Sequence, residues 1–163
     1  MRVRTQPEPP DPSTLDISRV LLATEGRPIP APALELALEL AGPRRAAVHV
    51  FSVARVWGTS FGLPNPGLLP TRKEWKEQHE LVARAVKRLE AAGIEADGRV
   101  LATRKATKRI VGEADRLGCD VIVMAADPPR NRLLAGLMWS QEPYRVRRRA
   151  RIPVYLVLDE HGQ

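Results

Sequence analysis

Arginine dominates the reactive inventory of this 163-residue chain. Seven arginines against a single acid, Glu142, lie between Arg130 and Arg151. Arg130 and Arg132 follow one apolar run, and Arg27 follows another. A guanidinium presents a planar fork of N–H donors that grips phosphate or carboxylate in two places at once. Such a set therefore reads as anion-binding rather than bond-breaking. The plainer reading of the same residues is solvated surface charge. The net charge of +7, from 26 basic and 19 acidic side chains, fits an anionic partner under the first reading.

Motifs for catalysis are missing. There is no G-x-x-x-x-G-K-S/T loop, which excludes P-loop phosphoryl transfer. No G-x-G-x-x-G opens a helix after the first apolar run, so a dinucleotide site is not expected. Neither H-x-G-H nor S-G-G-x-D-S occurs, which argues against nucleotidyl transfer and pyrophosphatase chemistry. His49, His79 and His161 do not make metal-ligand spacing, and Cys119 is the single cysteine. No serine sits on a nucleophile elbow. The expectation is a protein that is not an enzyme and holds no metal. One cysteine also rules out an intrachain disulfide and fits a reducing compartment. No apolar stretch approaches the roughly 18 to 20 residues of a membrane span. No apolar region follows the two N-terminal arginines, so no secretory signal is expected. These points predict a cytoplasmic chain.

The elements that must position the arginines alternate along the sequence. Residues 1–16, with Pro7, Pro9, Pro10 and Pro12, read as a disordered tail. A domain over 17–158 follows, then a polar end at 159–163. Mainly apolar runs at 17–24, 46–53, within 94–102, at 120–126 and at 152–158 read as strands, those at 46–53 and 120–126 apolar on both faces as in parallel sheets. Between them, Ala33 to Ala41 is rich in strong helix formers, with Glu35 and Glu39 on one face. Thr71 and Glu74 make a capping box, and Trp75, Val82, Val86 and Leu89 form one stripe behind it. Ile110, Val111, Ala114 and Leu117 mark a third helix that stops at Gly118, and a fourth spans about 140–150. A long loop with Gly58, Gly62, Pro64, Pro66, Gly67 and Pro70 precedes the second helix. Strands alternating with helices predict an α/β, doubly wound, five-stranded parallel sheet. Ligands of such sheets bind at the carboxyl ends of the strands, where strand order reverses.

Arg145, Arg147, Arg148, Arg149 and Arg151 resemble a nucleic-acid stripe. However, Pro143, Val146 and Ala150 set an inward face, and the arginines fill the others. Aromatic residues make up only 4%, leaving few stacking platforms. Nucleic acid is not expected as a partner.

Four stretches, VLLATEG (Val20–Gly26), VHVFSV (Val48–Val53), IVGEADRLGCDVIVMAA (Ile110–Ala126) and RRARIPVYLV (Arg148–Val157), carry a resemblance to the universal stress protein family. It covers about residues 17 to 158. The resemblance implies the adenine-nucleotide alpha-hydrolase-like fold, with strand order 3-2-1-4-5. It also implies a homodimer through strand five, across Val154, Leu156 and Val157. An apolar terminal strand is an edge that needs covering, which points the same way. Many family members bind ATP through a G-x-x-G-x(9)-G-S/T motif after strand four. In this chain the motif's first two glycines fall on Ala125 and Pro128. Counting back from Pro153, the third falls on Ser140 and its hydroxyl neighbour on Gln141. The only glycine in the loop is Gly136. Glycines let backbone N–H groups approach phosphate in conformations a Cβ forbids, and proline has no N–H to offer.

By the same resemblance, Glu25 stands where the family has an adenosine-contacting aspartate, or else it is a solvated strand-end acid paired with Arg27 or Arg130. Val50 stands where a valine lines the adenine, or else it is plain core. Arg27, Arg130 and Arg132 lie in adjacent loops and offer side chains in place of the missing cradle. The expected cleft thus comprises Glu25, Arg27, Val50, Arg130, Arg132, Ser140 and Gln141. The expected function is a dimeric, non-catalytic stress-response or regulatory module without standard ATP binding and with no certain cofactor. Two alternatives stay open. One is a protein that binds ATP or AMP through arginine side chains. The other is a ligand-free module whose surface meets another protein.

Overall fold

The computed structural model describes residues 8–55, 59–60, 63–64, 70–128 and 141–159. Of the expected cleft residues, Arg130, Arg132 and Ser140 lie outside them. The strands are β1 (Arg19–Thr24), β2 (Ala47–Arg55), β3 (Thr59–Ser60), β4 (Leu63–Pro64), β5 (Ala96–Thr103), β6 (Val121–Ala126) and β7 (Val154–Leu158). The helices are α1 (Ala31–Ala41), α2 (Arg72–Ala91), α3 (Ala106–Leu117) and α4 (Glu142–Arg149). Five strands form one parallel sheet in the order β5-β2-β1-β6-β7. This is the doubly wound order expected from the sequence.

The inner strands β1, β2 and β6 are buried on both faces, which is why they read as near-continuous apolar runs, while the edge strand β5 is exposed or half-buried along its length. Alternation along β1 sends Val20 and Leu22 to one layer and Leu21 and Ala23 to the other. The first layer is closed by α1 and α2 through Ala33, Ala37, Leu40, Val82 and Leu89. The second is closed by α3 and α4 through Ile110, Ala114 and Val146. Cys119 is buried in that second layer, and burial pushes its thiol pKa up to about 11.

Local signals set most boundaries. The Thr71 side chain accepts from the Glu74 amide and Glu74 returns to the Thr71 amide, completing the expected capping box of α2. Gly118 ends α3 with φ +64°, a left-handed conformation that suits glycine. Four details differ from the sequence reading. Helix α1 begins at Ala31 rather than Ala33, because Pro32 is tolerated in a first turn where its missing N–H has no intrahelical role. Trp75, placed on the inward stripe of α2, is only half-buried and stacks on His79 at 5.7 Å. The long loop after β2 contains the two-stranded β3–β4 ribbon, which residue patterns so short do not announce. Residues 8–16, read as part of a disordered tail, carry a short 3-10 turn at Pro12–Thr14. They are held to the domain where Tyr155 donates to Pro10 O at 2.5 Å and Arg44 to Pro12 O at 2.7 Å.

Helix α2 lies unusually close to β5. A Cβ placed on Gly98 would overlap Val82 Cγ1 and meet Val86 Cγ2 at 3.2 Å. Overpacking of this kind costs about 1–3 kcal/mol. Gly98→Ala should lower the unfolding free energy by that amount, seen as a lower urea midpoint, and adding Val82→Ala should recover part of it. An unchanged midpoint for Gly98→Ala alone would show that the helix is free to move away.

Candidate functional site

The carboxyl ends of β1 and β6 lie side by side at the centre of the sheet, and the turn after β1 is heavily pinned. Thr24 Oγ1 donates to Arg27 O at 2.6 Å and accepts from the Gly26 amide at 3.2 Å. Gly26 takes φ +111°, which a side chain would resist, and a Cβ there would sit 3.2 Å from Val53 O. Gln78 reaches over from α2: its Nε2 donates to Gly26 O at 3.0 Å, and its Oε1 accepts from Ser52 at 2.5 Å.

This turn brings together two of the expected residues, Glu25 and Arg27. Arg27 Nε donates to Glu25 Oε1 at 2.5 Å. Its two terminal nitrogens donate to Asp127, just past β6, at 3.2 and 3.1 Å. The guanidinium therefore bridges two carboxylates with three of its five N–H groups. Burial works against the Arg27 charge, but Glu25, with Asp127 behind it, more than offsets this and holds its pKa above the ordinary value. Glu25 is 4% exposed, and its second oxygen has no hydrogen-bond partner among the described residues. Tyr144 of α4 donates to Asp127 O at 2.5 Å, so the fourth helix is tied to the same point.

The other expected residues separate. Val50 is fully buried beneath α1 and α2 in the core layer. Gln141 is exposed and caps α4 without a side-chain bond. No water-sized void exists between Thr24, Arg27, Ile29, Ala33 and Ala125. His49 lies toward the amino end of β2, away from this cleft, with Nδ1 2.6 Å from Asp97. Among the described residues no cluster of His, Cys, Asp and Glu is arranged to hold a metal.

Sequence reasoning missed Asp127 and Gln78. Asp127 carried no local signal, since its partner is 100 residues away. Gln78 did carry one, as a polar residue between Trp75 and Val82 on the inward stripe of α2.

Removing the bridge leaves two close acids without their cation. Breaking a pair this enclosed costs about 3–5 kcal/mol, largely through the uncompensated charge left behind. Arg27→Ala should lose about that much stability in chemical denaturation, and restoring neutrality with Asp127→Asn should recover part of it. A loss below about 1 kcal/mol would mean that water already shares this guanidinium.

Comparison with known proteins agrees with the fold. The model of the universal stress protein family matches residues 17–157. No curated protein matches the chain. Among solved structures, a universal stress protein family member from Burkholderia pseudomallei is similar at 23% identity, with TM-score 0.65, covering 88% of this chain and 97% of that one. The Archaeoglobus fulgidus universal stress protein in complex with dAMP is similar at 22% identity, with TM-score 0.60, covering 85% and 95%. A universal stress protein in complex with cAMP is similar at 19% identity, with TM-score 0.63, covering 87% and 97%. At these identities the structures establish a shared fold. With the family match spanning nearly the whole domain, the chain belongs to the universal stress protein family.

Proposed function

We propose that this protein is a non-catalytic stress-response or regulatory module whose strand-end cleft has given up the glycine-loop grip on a triphosphate. The observation that carries this reading is the Arg27 bridge. The Arg27 guanidinium is already engaged by Glu25 and Asp127, so an incoming phosphate must compete with two carboxylates at 2.5 to 3.2 Å. Ala125 and Pro128 stand where the family's motif has glycines, and Pro128 has no amide to offer. The protein is placed in the cytoplasm on the same reading, and none of its described helices is long and apolar enough to cross a membrane.

A second reading rests on Glu25. Its buried, unpartnered Oε2 is an acceptor awaiting a donor, and a ribose hydroxyl has the right chemistry. On this reading AMP or ATP binds with Arg130, Arg132, Ser140 and Gln141 around the phosphates, a reading supported by similar proteins solved in complex with dAMP and with cAMP. Calorimetric titration with ATP, AMP and cAMP separates the two. The first reading expects no ATP binding that depends on Glu25, so that any ATP heat is the same in Glu25→Ala. Saturable ATP binding that is lost in Glu25→Ala would establish the second.

The assembly proposed is a homodimer through β7. This strand pairs only with β6 and so forms one edge of the sheet. Leu156 and Val157 are half-buried there, and Leu158 is 47% exposed. An apolar edge of that kind is a template for another strand and is normally covered. Val157→Lys should give monomers in multi-angle light scattering while keeping the native circular dichroism. A dimer that persists in this variant would place the contact elsewhere.

A further inference from the structure

On the face of the sheet opposite α1 and α2, the start of α3 and the length of α4 flank an open groove of about 670 Å³. That is the size of a small-ligand site. Its rim is basic: Arg104, Lys105 and Lys108 come from α3 and its approach, and Arg148 and Arg149 from α4. All five are exposed, and none has an ion-pair partner among the described residues. The one acid lining the groove, Glu142, is spoken for, since it accepts from the Thr107 hydroxyl and pairs with Arg145 at 3.3 Å. The groove shares no residue with the strand-end cleft.

The charges sit where a helix tolerates them least. Helix α3 has Lys105 at its N-cap with no side-chain cap, and its first intrahelical bond is made by Arg109. The amides of Ala106, Thr107 and Lys108 thus have no partner within the helix. The positive end of the helix dipole is normally matched by an acid or a polar cap. Here one acid, Glu142, meets the first turn through Thr107, against five cations around the same concave space. This concentration of like charge is unfavourable in the empty groove, and an anion relieves it from both helices at once.

We propose that this groove is a second binding site, for a small anion carrying two or more phosphoryl groups. A single phosphate brings at most about two negative charges near neutral pH, whereas a chain of phosphates brings enough to engage Lys105 and Lys108 on one side and Arg148 and Arg149 on the other. The forked guanidiniums supply paired hydrogen bonds and the lysines supply point charges. The assignment does not depend on how the strand-end cleft is read.

Titration of the full chain with orthophosphate, pyrophosphate and tripolyphosphate, by calorimetry at low and high salt, tests the assignment. Affinity should rise with phosphate number and fall as salt is added. The double variant Arg148→Ala/Arg149→Ala should weaken tripolyphosphate binding at least about tenfold. Arg84→Ala/Arg88→Ala, which removes the same charge from α2 on the opposite face, should leave it unchanged. Absence of binding at millimolar tripolyphosphate overturns the proposal, as does equal weakening in the two double variants. Binding that survives both variants puts the anion elsewhere. A single-stranded oligonucleotide that binds more tightly than tripolyphosphate through Arg148 and Arg149 would overturn the small-ligand assignment in favour of nucleic acid.

Discussion

The centre of this domain depends on how β1 is fastened to β6. Their ladder is only a few residues long, and it is clasped at both ends by charge-assisted bonds. At the amino end, Asp120 accepts from the Ser18 and Arg19 amides at 2.7 and 3.0 Å. At the carboxyl end, Arg27 holds Glu25 and Asp127 together. A carboxylate as enclosed as Glu25 is tolerated only when a cation is delivered to it in fixed geometry. That delivery rests on the positive φ of Gly26 and on Gln78 gripping the turn from α2. The clasp therefore occupies the turn after β1, at the carboxyl end of the central strand. On the function proposed above, the residue that completes the centre of the fold is also the one with which an incoming phosphate competes.

Charge elsewhere follows a related division. Glu113 is buried and is met by both Arg99 and Arg116, so its negative charge is spent inside the molecule. The cations of α4 have fewer such commitments. An excess of positive charge consequently collects over α3 and α4, while α2 carries its lysines beside glutamates, as in Lys73–Glu77 and Lys76–Glu80. The two outer surfaces of one sheet thus present different electrostatic faces to the solvent.

What could be read from the sequence was whatever the chain encodes locally. Strand β6, VIVMAA, is buried at every position, and an unbroken apolar run has few other uses in a domain of this size. The Thr71–Glu74 box and Gly118 declare a helix start and a helix stop within four residues of themselves. Glu25 and Arg27 were legible as a pair because they are two positions apart. Asp127 was not, because its relation to Arg27 exists only once strands distant in sequence are side by side. Gly98 was similarly silent. A lone glycine in a strand says that something comes close, but not that the something is Val82. The reading of residues 8–16 leaned on proline content, which measures resistance to regular structure and not the absence of anchoring contacts.

The β1–β6 pairing also has a temporal side. Val20 lies opposite Val121, so the middle strand of the sheet is synthesised about a hundred residues before one of its two neighbours. At roughly 5–20 residues per second, a ribosome leaves that flank of β1 bare for about 5–20 s. Until then VLLAT has only β2 beside it and presents an apolar ladder with open amides and carbonyls to whatever else is in the vicinity. The interval in which this domain most needs a chaperone is thus set by its topology, and it closes when Asp120 to Asp127 emerges.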